Sequence, residues 1–133
     1  MSAIRPNQAE LQKLAADGRT KTGPVVMLNL LKFKERADTG DGSGRESYNR
    51  YGREVKPMVE KLGGRIVWQG RADQMLIGEE DWDVVALVEY PSREAFIKMA
   101  TSPEMANIHH HREGGLERTV LIACTEVTPA GEA

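Results

Sequence analysis

The sequence predicts an α+β fold: a ferredoxin-like βαββαβ sandwich with a short extra helix at its N-terminus. Three observations predict it. Apolar, β-branched runs and stretches of helical period follow one another in the order β, α, β, β, α, β. Helix starts carry capping serines, at Ser43, Ser92 and Ser102, and two of these helices stop at glycine pairs, Gly63-Gly64 and Gly114-Gly115. Two strands are apolar on both faces, and crossover helices on one side of a sheet cover only one of them.

Asn7 to Gly18 reads as a short helix, with Asn7 and Glu10 at capping-box spacing, a narrow stripe of Leu11, Leu14 and Ala15, and Gly18 as its stop. The stripe is weak, so segment 7–18 is expected to be an appendage outside the core. Pro24 to Phe33 (PVVMLNLLKF) is the first strand. Ser43 to Leu62 is the next helix, carrying Tyr48, Tyr51, Val55, Met58 and Leu62 at helical intervals. Pro57 removes one amide donor and is expected to kink this helix or end its first half. Arg65 to Gly70 reads as a strand that resumes at Met75 to Gly78 after an irregular stretch. Trp82 to Tyr90 (WDVVALVEY) is the clearest strand. Ser92 opens a helix with Ala95, Phe96 and Met99. Ser102-Pro103-Glu104 then opens a second helical piece with Met105, Ile108 and Arg112. Leu116 to Val127 is the last strand and 128–133 a tail, so a single domain, 1–133, is expected to have its core at about 24–127.

The strands argue for a second copy of the chain. Val84, Ala86, Val88 and Tyr90 share one face of their strand with Trp82, while Val85 and Leu87 lie on the other. Val25, Met27 and Leu31 likewise oppose Val26, Leu28 and Leu30. The uncovered apolar face would be a large wet patch, and a two-fold copy of the same sheet is the simplest cover. A homodimer through sheet faces is therefore expected.

Composition narrows the function. The chain has 133 residues, 40% hydrophobic and 29% charged, with a formal net charge of −2 and no basic block, which argues against nucleic acid or an anionic membrane as main partner. The start, MSAIRPNQAE, lacks the apolar core of a signal peptide, and no apolar run approaches the roughly 20 residues of a membrane span. The single cysteine, Cys124, allows no intrachain disulfide and fits a reducing compartment, so a cytoplasmic protein is expected.

PVVMLNLLKFK, the Tyr48/Tyr51 helix ending in Gly63-Gly64, RIVWQG, and DWDVVALVEYPSREAFIKMATSPEM resemble the bacterial domain-of-unknown-function 1330 family over roughly residues 24 to 127. EYPSREAF and SPEM are the most specific parts. That family is similar in fold to the dimeric α/β barrel superfamily. The resemblance implies a ferredoxin-like protomer, a dimer formed by sheet faces, and a pocket between helices and sheet. It implies no activity, since relatives include cofactor-free oxygenases, small isomerases, haem enzymes and plain binding proteins.

Six residues are candidate site residues. Asn29 is the one uncharged polar residue inside the first strand, and its amide either holds a ligand oxygen in the pocket, or caps a bulge or bonds to a neighbouring strand end. Tyr48, Tyr51 and Trp82 form either an aromatic wall for a planar ligand or ordinary core packing. Trp68 is assigned to the dimer face. His109, His110 and His111 cannot all reach one ion, because adjacent helical residues point about 100° apart. No ligand set is completed around them, so no metal and no other cofactor is expected. His109, one turn after Met105 and near the side of Arg112, is the candidate base. Arg112 either clamps a carboxylate or enolate or pairs with Glu113 or Glu117. The loop Asp38 to Gly44 is expected to be a mobile rim over the pocket.

The leading expectation is a small-molecule-binding homodimer acting as a cofactor-independent enzyme, oxygenase- or isomerase-like, on a small carbonyl or phenolic compound. His109 would be its base, and Asn29 or Arg112 would stabilise an oxyanion. The rival is a non-catalytic binding or interaction protein.

Overall fold

In the computed structural model, which describes residues 4–127, eight elements follow one another along the chain. They are α1 (Gln8–Asp17), β1 (Val25–Phe33), α2 (Gly44–Lys61), β2 (Arg65–Arg71), β3 (Val84–Tyr90), α3 (Arg93–Ala100), α4 (Pro103–Gly115) and β4 (Leu116–Cys124). The expected tail, 128–133, lies outside the described residues. The strands form one antiparallel sheet in the order β2-β3-β1-β4, so the two βαβ halves interleave with β1 and β3 at the centre. This is the ferredoxin-like arrangement, preceded by the short helix α1.

Local chemistry sets the boundaries. Ser43 caps α2 with a reciprocal pair: its hydroxyl accepts from the Glu46 amide at 3.1 Å, and its own amide donates to the Glu46 carboxylate at 2.9 Å. Ser92 and Ser102 accept from the Ala95 and Met105 amides at 3.0 and 3.1 Å, and Pro103 fills the first turn of α4, where a missing amide costs nothing. The helix α2 runs through Pro57 from Gly44 to Lys61 rather than ending its first half there. Pro57 is exposed, so its ring meets solvent and the helix loses a single amide bond.

Two strand expectations are corrected. Met75 to Gly78 forms no strand, because β2 and β3 already pair from Arg65–Glu89 to Arg71–Val84 and the chain beyond must turn back as their connecting loop. Leu76 and Ile77 stand 84% and 92% exposed on it. Trp82 precedes the strand, which begins at Val84.

Register separates the two sheet faces. Val25, Met27 and Leu31 turn toward the helices with Tyr90, Val88 and Val84 beside them. There Val25, Met27, Val59, Tyr90, Phe96 and Met99 make the buried core. Leu11 and Leu14 of α1 are partly buried against this core, while no residue of α1 is fully buried. The opposite face is apolar and bare. Leu28 lies between Leu87 and Ile122, and Leu30 lies between Val85 and Val120. Trp68 continues that face on β2, opposite Leu87, with 55% of its surface exposed.

Candidate functional site

Alternation along β4 places Thr119, Leu121 and Ala123 on the helix-facing side, beside Leu31, Asn29 and Met27 of β1. Because β4 is the sheet edge, this strip is not filled by α2. Instead α1 and the residues leading into it arch across the gap. Between them lies a cavity of about 570 Å³, floored by Met27, Thr119, Leu121 and Ala123, backed by Arg93 and Phe96 of α3 and Arg112 of α4, and roofed by Leu11 and Leu14. Its size falls inside the range of small-molecule sites, roughly 300–1,000 Å³.

Cationic side chains outnumber carboxylates around the cavity. Arg93 is 7% exposed, and its Nη2 donates to Thr125 Oγ1 at 3.0 Å. Arg112 Nη1 donates to the Ile4 carbonyl at 2.9 Å, which ties the chain before α1 to the end of α4. Behind Arg112 the rings of Phe33, Tyr48 and Tyr51 pack in a row, with centroids 5.5 and 5.4 Å apart. Burial raises the Tyr48 hydroxyl above the ordinary phenol value, and the neighbouring Arg112 charge draws it partly back. Burial pushes Tyr51 up to about 12, and Tyr90 is raised for the same reason.

A pH prediction follows for Tyr51. Its folded value lies above the ordinary value near 10, so the native state holds the proton more tightly than the unfolded chain does. Its stabilising contribution is complete below about pH 10 and is lost as pH rises from about 10 to about 12. Denaturant midpoints taken between pH 9 and pH 11 are expected to fall in wild type and to fall less in Tyr51→Phe.

The six candidate residues do not assemble. Arg112 lines the cavity, and Tyr48 and Tyr51 back it from α2 without lining it. Asn29 shares a sheet face with Leu121, yet its Nδ2 donates to the Met27 carbonyl of its own strand at 3.2 Å and it does not reach the cavity. His109 is turned toward Glu113, with Nδ1 3.4 Å from Oε2, and also stays out. Glu113 is itself held by Arg5 at 2.8 Å. Trp82 lies at the end of the bare face, 4.6 Å under the Arg118 guanidinium, in a cluster where Asp81 accepts from both Lys32 and Arg118. Among the described residues no three His, Cys, Asp or Glu side chains gather as a metal would require.

The loop Asp38 to Gly44 is not a rim of this cavity. The Asp38 amide donates to the Gly114 carbonyl at 3.0 Å and the Gly44 amide to the Lys34 carbonyl at 3.0 Å, which pins the loop against the end of α4. Arg93, Phe96 and Leu121 were not singled out as site residues from the sequence. The available signal for Arg93 is its place three residues before Phe96, on the side that α3 buries.

Comparison with known proteins locates the chain among relatives. A model of the family described as domain of unknown function (DUF1330) matches residues 40–125. The crystal structure of a Rhodopseudomonas palustris protein of unknown function is 37% identical, covers 97% of this chain and 100% of its own, and superposes with a TM-score of 0.88. A Mesorhizobium loti dabb family protein with a ferredoxin-like fold is 13% identical over 80% of this chain and 99% of its own, with a TM-score of 0.53. A Bacteroides fragilis protein, described as dimeric and of ferredoxin-like fold, is 17% identical over 78% of this chain and 97% of its own, with a TM-score of 0.51. No curated protein matches the sequence. On the family match and on the Rhodopseudomonas palustris relative, this chain belongs to the DUF1330 family.

Proposed function

We propose that the protein is a small-molecule-binding homodimer whose ligand site is the cavity between α1 and the sheet. The observation that carries this is the cavity itself: about 570 Å³ of space with a largely apolar floor and three arginines, in a chain of only 133 residues. The homodimer is supported by the bare apolar face of Leu28, Leu30, Val85, Leu87, Val120 and Ile122, and by the dimeric Bacteroides fragilis neighbour. One domain working in the cytoplasm accords with the single Cys124. No helix among the described residues is long and apolar enough to cross a membrane.

Binding without turnover fits this geometry better than catalysis. Acid–base chemistry needs a titrating group within reach of the ligand. The histidine expected to serve lies outside the cavity, and the carboxylates that line it, Glu10 and Asp17, belong to the outer helix α1.

Native mass spectrometry of untagged protein tests the proposal. The expected result is a dimer that retains a small molecule or takes up an apolar fluorescent probe. Leu121→Trp, which fills the cavity from an edge strand, is expected to abolish that uptake and leave the dimer intact. A dimer that takes up nothing, or whose uptake ignores Leu121→Trp, would overturn the cavity as the site. Conversion of a retained carbonyl or phenolic compound would replace binding by catalysis.

A further inference from the structure

We infer that the ligand is an amphipathic organic acid, its carboxylate held by the buried Arg93 and its apolar body laid along Met27, Phe96 and Leu121. This rests on the cavity being the ligand site. The chain as a whole is slightly acidic, with a net charge of −2, yet five cationic side chains and only two carboxylates line this cavity. Not all five are available to a ligand. Lys21 faces Asp17 at 3.6 Å and Arg5 holds Glu113 at 2.8 Å. Arg93 and Arg112 form no ion pair among the described residues, and their hydrogen bonds there go to a neutral hydroxyl and a neutral carbonyl.

Burial decides which of the two matters more. A guanidinium taken out of water is costly unless a counter-charge and hydrogen-bond acceptors meet it. Arg93 is buried, and Thr125 accepts from one of its five donors. What remains is a planar fork of donors beside an open space, and a carboxylate matches that fork in two parallel hydrogen bonds.

Position then sets the shape of the acid. Arg93 packs beside Gly18 at the C-terminal end of α1, since a β-carbon built on Gly18 would lie 3.5 Å from that of Arg93. Arg112 holds Ile4 ahead of the N-terminal end. The helix between them is about 15 Å long, at 1.5 Å for each of its ten residues. A small inorganic anion would leave the apolar floor in contact with water, whereas an acid with a hydrocarbon body covers it. Arg112, at the far end, is placed to meet a second polar group of a longer ligand.

Binding of decanoate and decanamide to the full-length protein, followed by displacement of an apolar fluorescent probe, tests this. The two ligands share a body and differ in charge. Decanoate is expected to bind at least tenfold tighter than decanamide, and Arg93→Gln is expected to erase that ratio. The wild-type ratio needs no variant to fold, and Arg112→Gln is expected to lower it less than Arg93→Gln does. Equal binding of acid and amide, both blocked by Leu121→Trp, would overturn the acid and leave the cavity as the site. Failure of both to bind or to displace the probe would overturn the acid and the cavity together.

Discussion

Ile122→Asp is expected to convert the proposed homodimer into a folded monomer. Ile122 lies on the bare face of β4, opposite Leu28, and 48% of its surface is exposed in the protomer. Removing it therefore costs the protomer less than a core substitution would, since nearly half of its surface is already exposed. A two-fold interface uses the same patch from both copies, so one substitution enters the interface twice. Each introduced carboxylate would have to leave water for an apolar surface formed by Leu28, Leu87 and Trp68, at several kcal/mol per ion. Two such penalties, roughly 6 kcal/mol or more together, remove most of the about 8 kcal/mol that holds a micromolar association. Sedimentation velocity at micromolar concentration is the measurement, with circular dichroism as the check on folding. A monomer with native circular dichroism is the expected outcome. A dimer that survives would move the interface elsewhere, and the exposed Leu76–Ile77 loop would be the next surface to test.

What the sequence discloses here is what local chemistry dictates. The three capping serines mark helix starts because their hydroxyls satisfy amides that nothing else reaches. The two-faced strands follow from side-chain alternation alone, and the register confirms the division of Val25, Met27 and Leu31 from Leu28 and Leu30. The site was less legible because its parts meet only in three dimensions. Leu11 and Leu14 make too thin a stripe to announce that α1 roofs a cavity, and its value depends on the strip of β4 beneath it. His109 and Arg112 stand three residues apart, about 60° in helical angle. That is enough for one to enter the cavity and the other to turn to Glu113. Strand alternation sets Asn29 on the face shared with Leu121, but its amide turns to the Met27 carbonyl at short range, a choice that strand periodicity does not encode. Arg93 reads in sequence as an ordinary first-turn residue, and only its burial distinguishes it.

Gly44→Ala is expected to destabilise the fold by about 3 kcal/mol or more, although helix propensity alone would favour alanine by nearly 1 kcal/mol. Gly44 opens α2 at the point where this helix, the end of β1 and the end of α4 touch through their backbones. The Gly44 amide donates to the Lys34 carbonyl at 3.0 Å, and the Lys34 amide donates to the Gly115 carbonyl at 2.8 Å. A β-carbon on Gly44 would lie 2.6 Å from the Gly115 carbonyl oxygen and from the Lys34 amide, and closer still to the Lys34 carbonyl oxygen. All three atoms are backbone, so no side chain can swing away. Relief requires α2 to move from α4, and that breaks the hydrogen bonds holding both to β1. Gly52 supplies the contrast within the same helix, since a β-carbon there would meet nothing within 4 Å. Gly52→Ala is expected to stabilise the protein by about 0.5–1 kcal/mol through propensity alone. Urea denaturation of both variants separates the two effects. Opposite shifts in midpoint would establish the backbone junction as a determinant of the fold, whereas equal small gains would show that α2 can settle away from Gly115 at no cost.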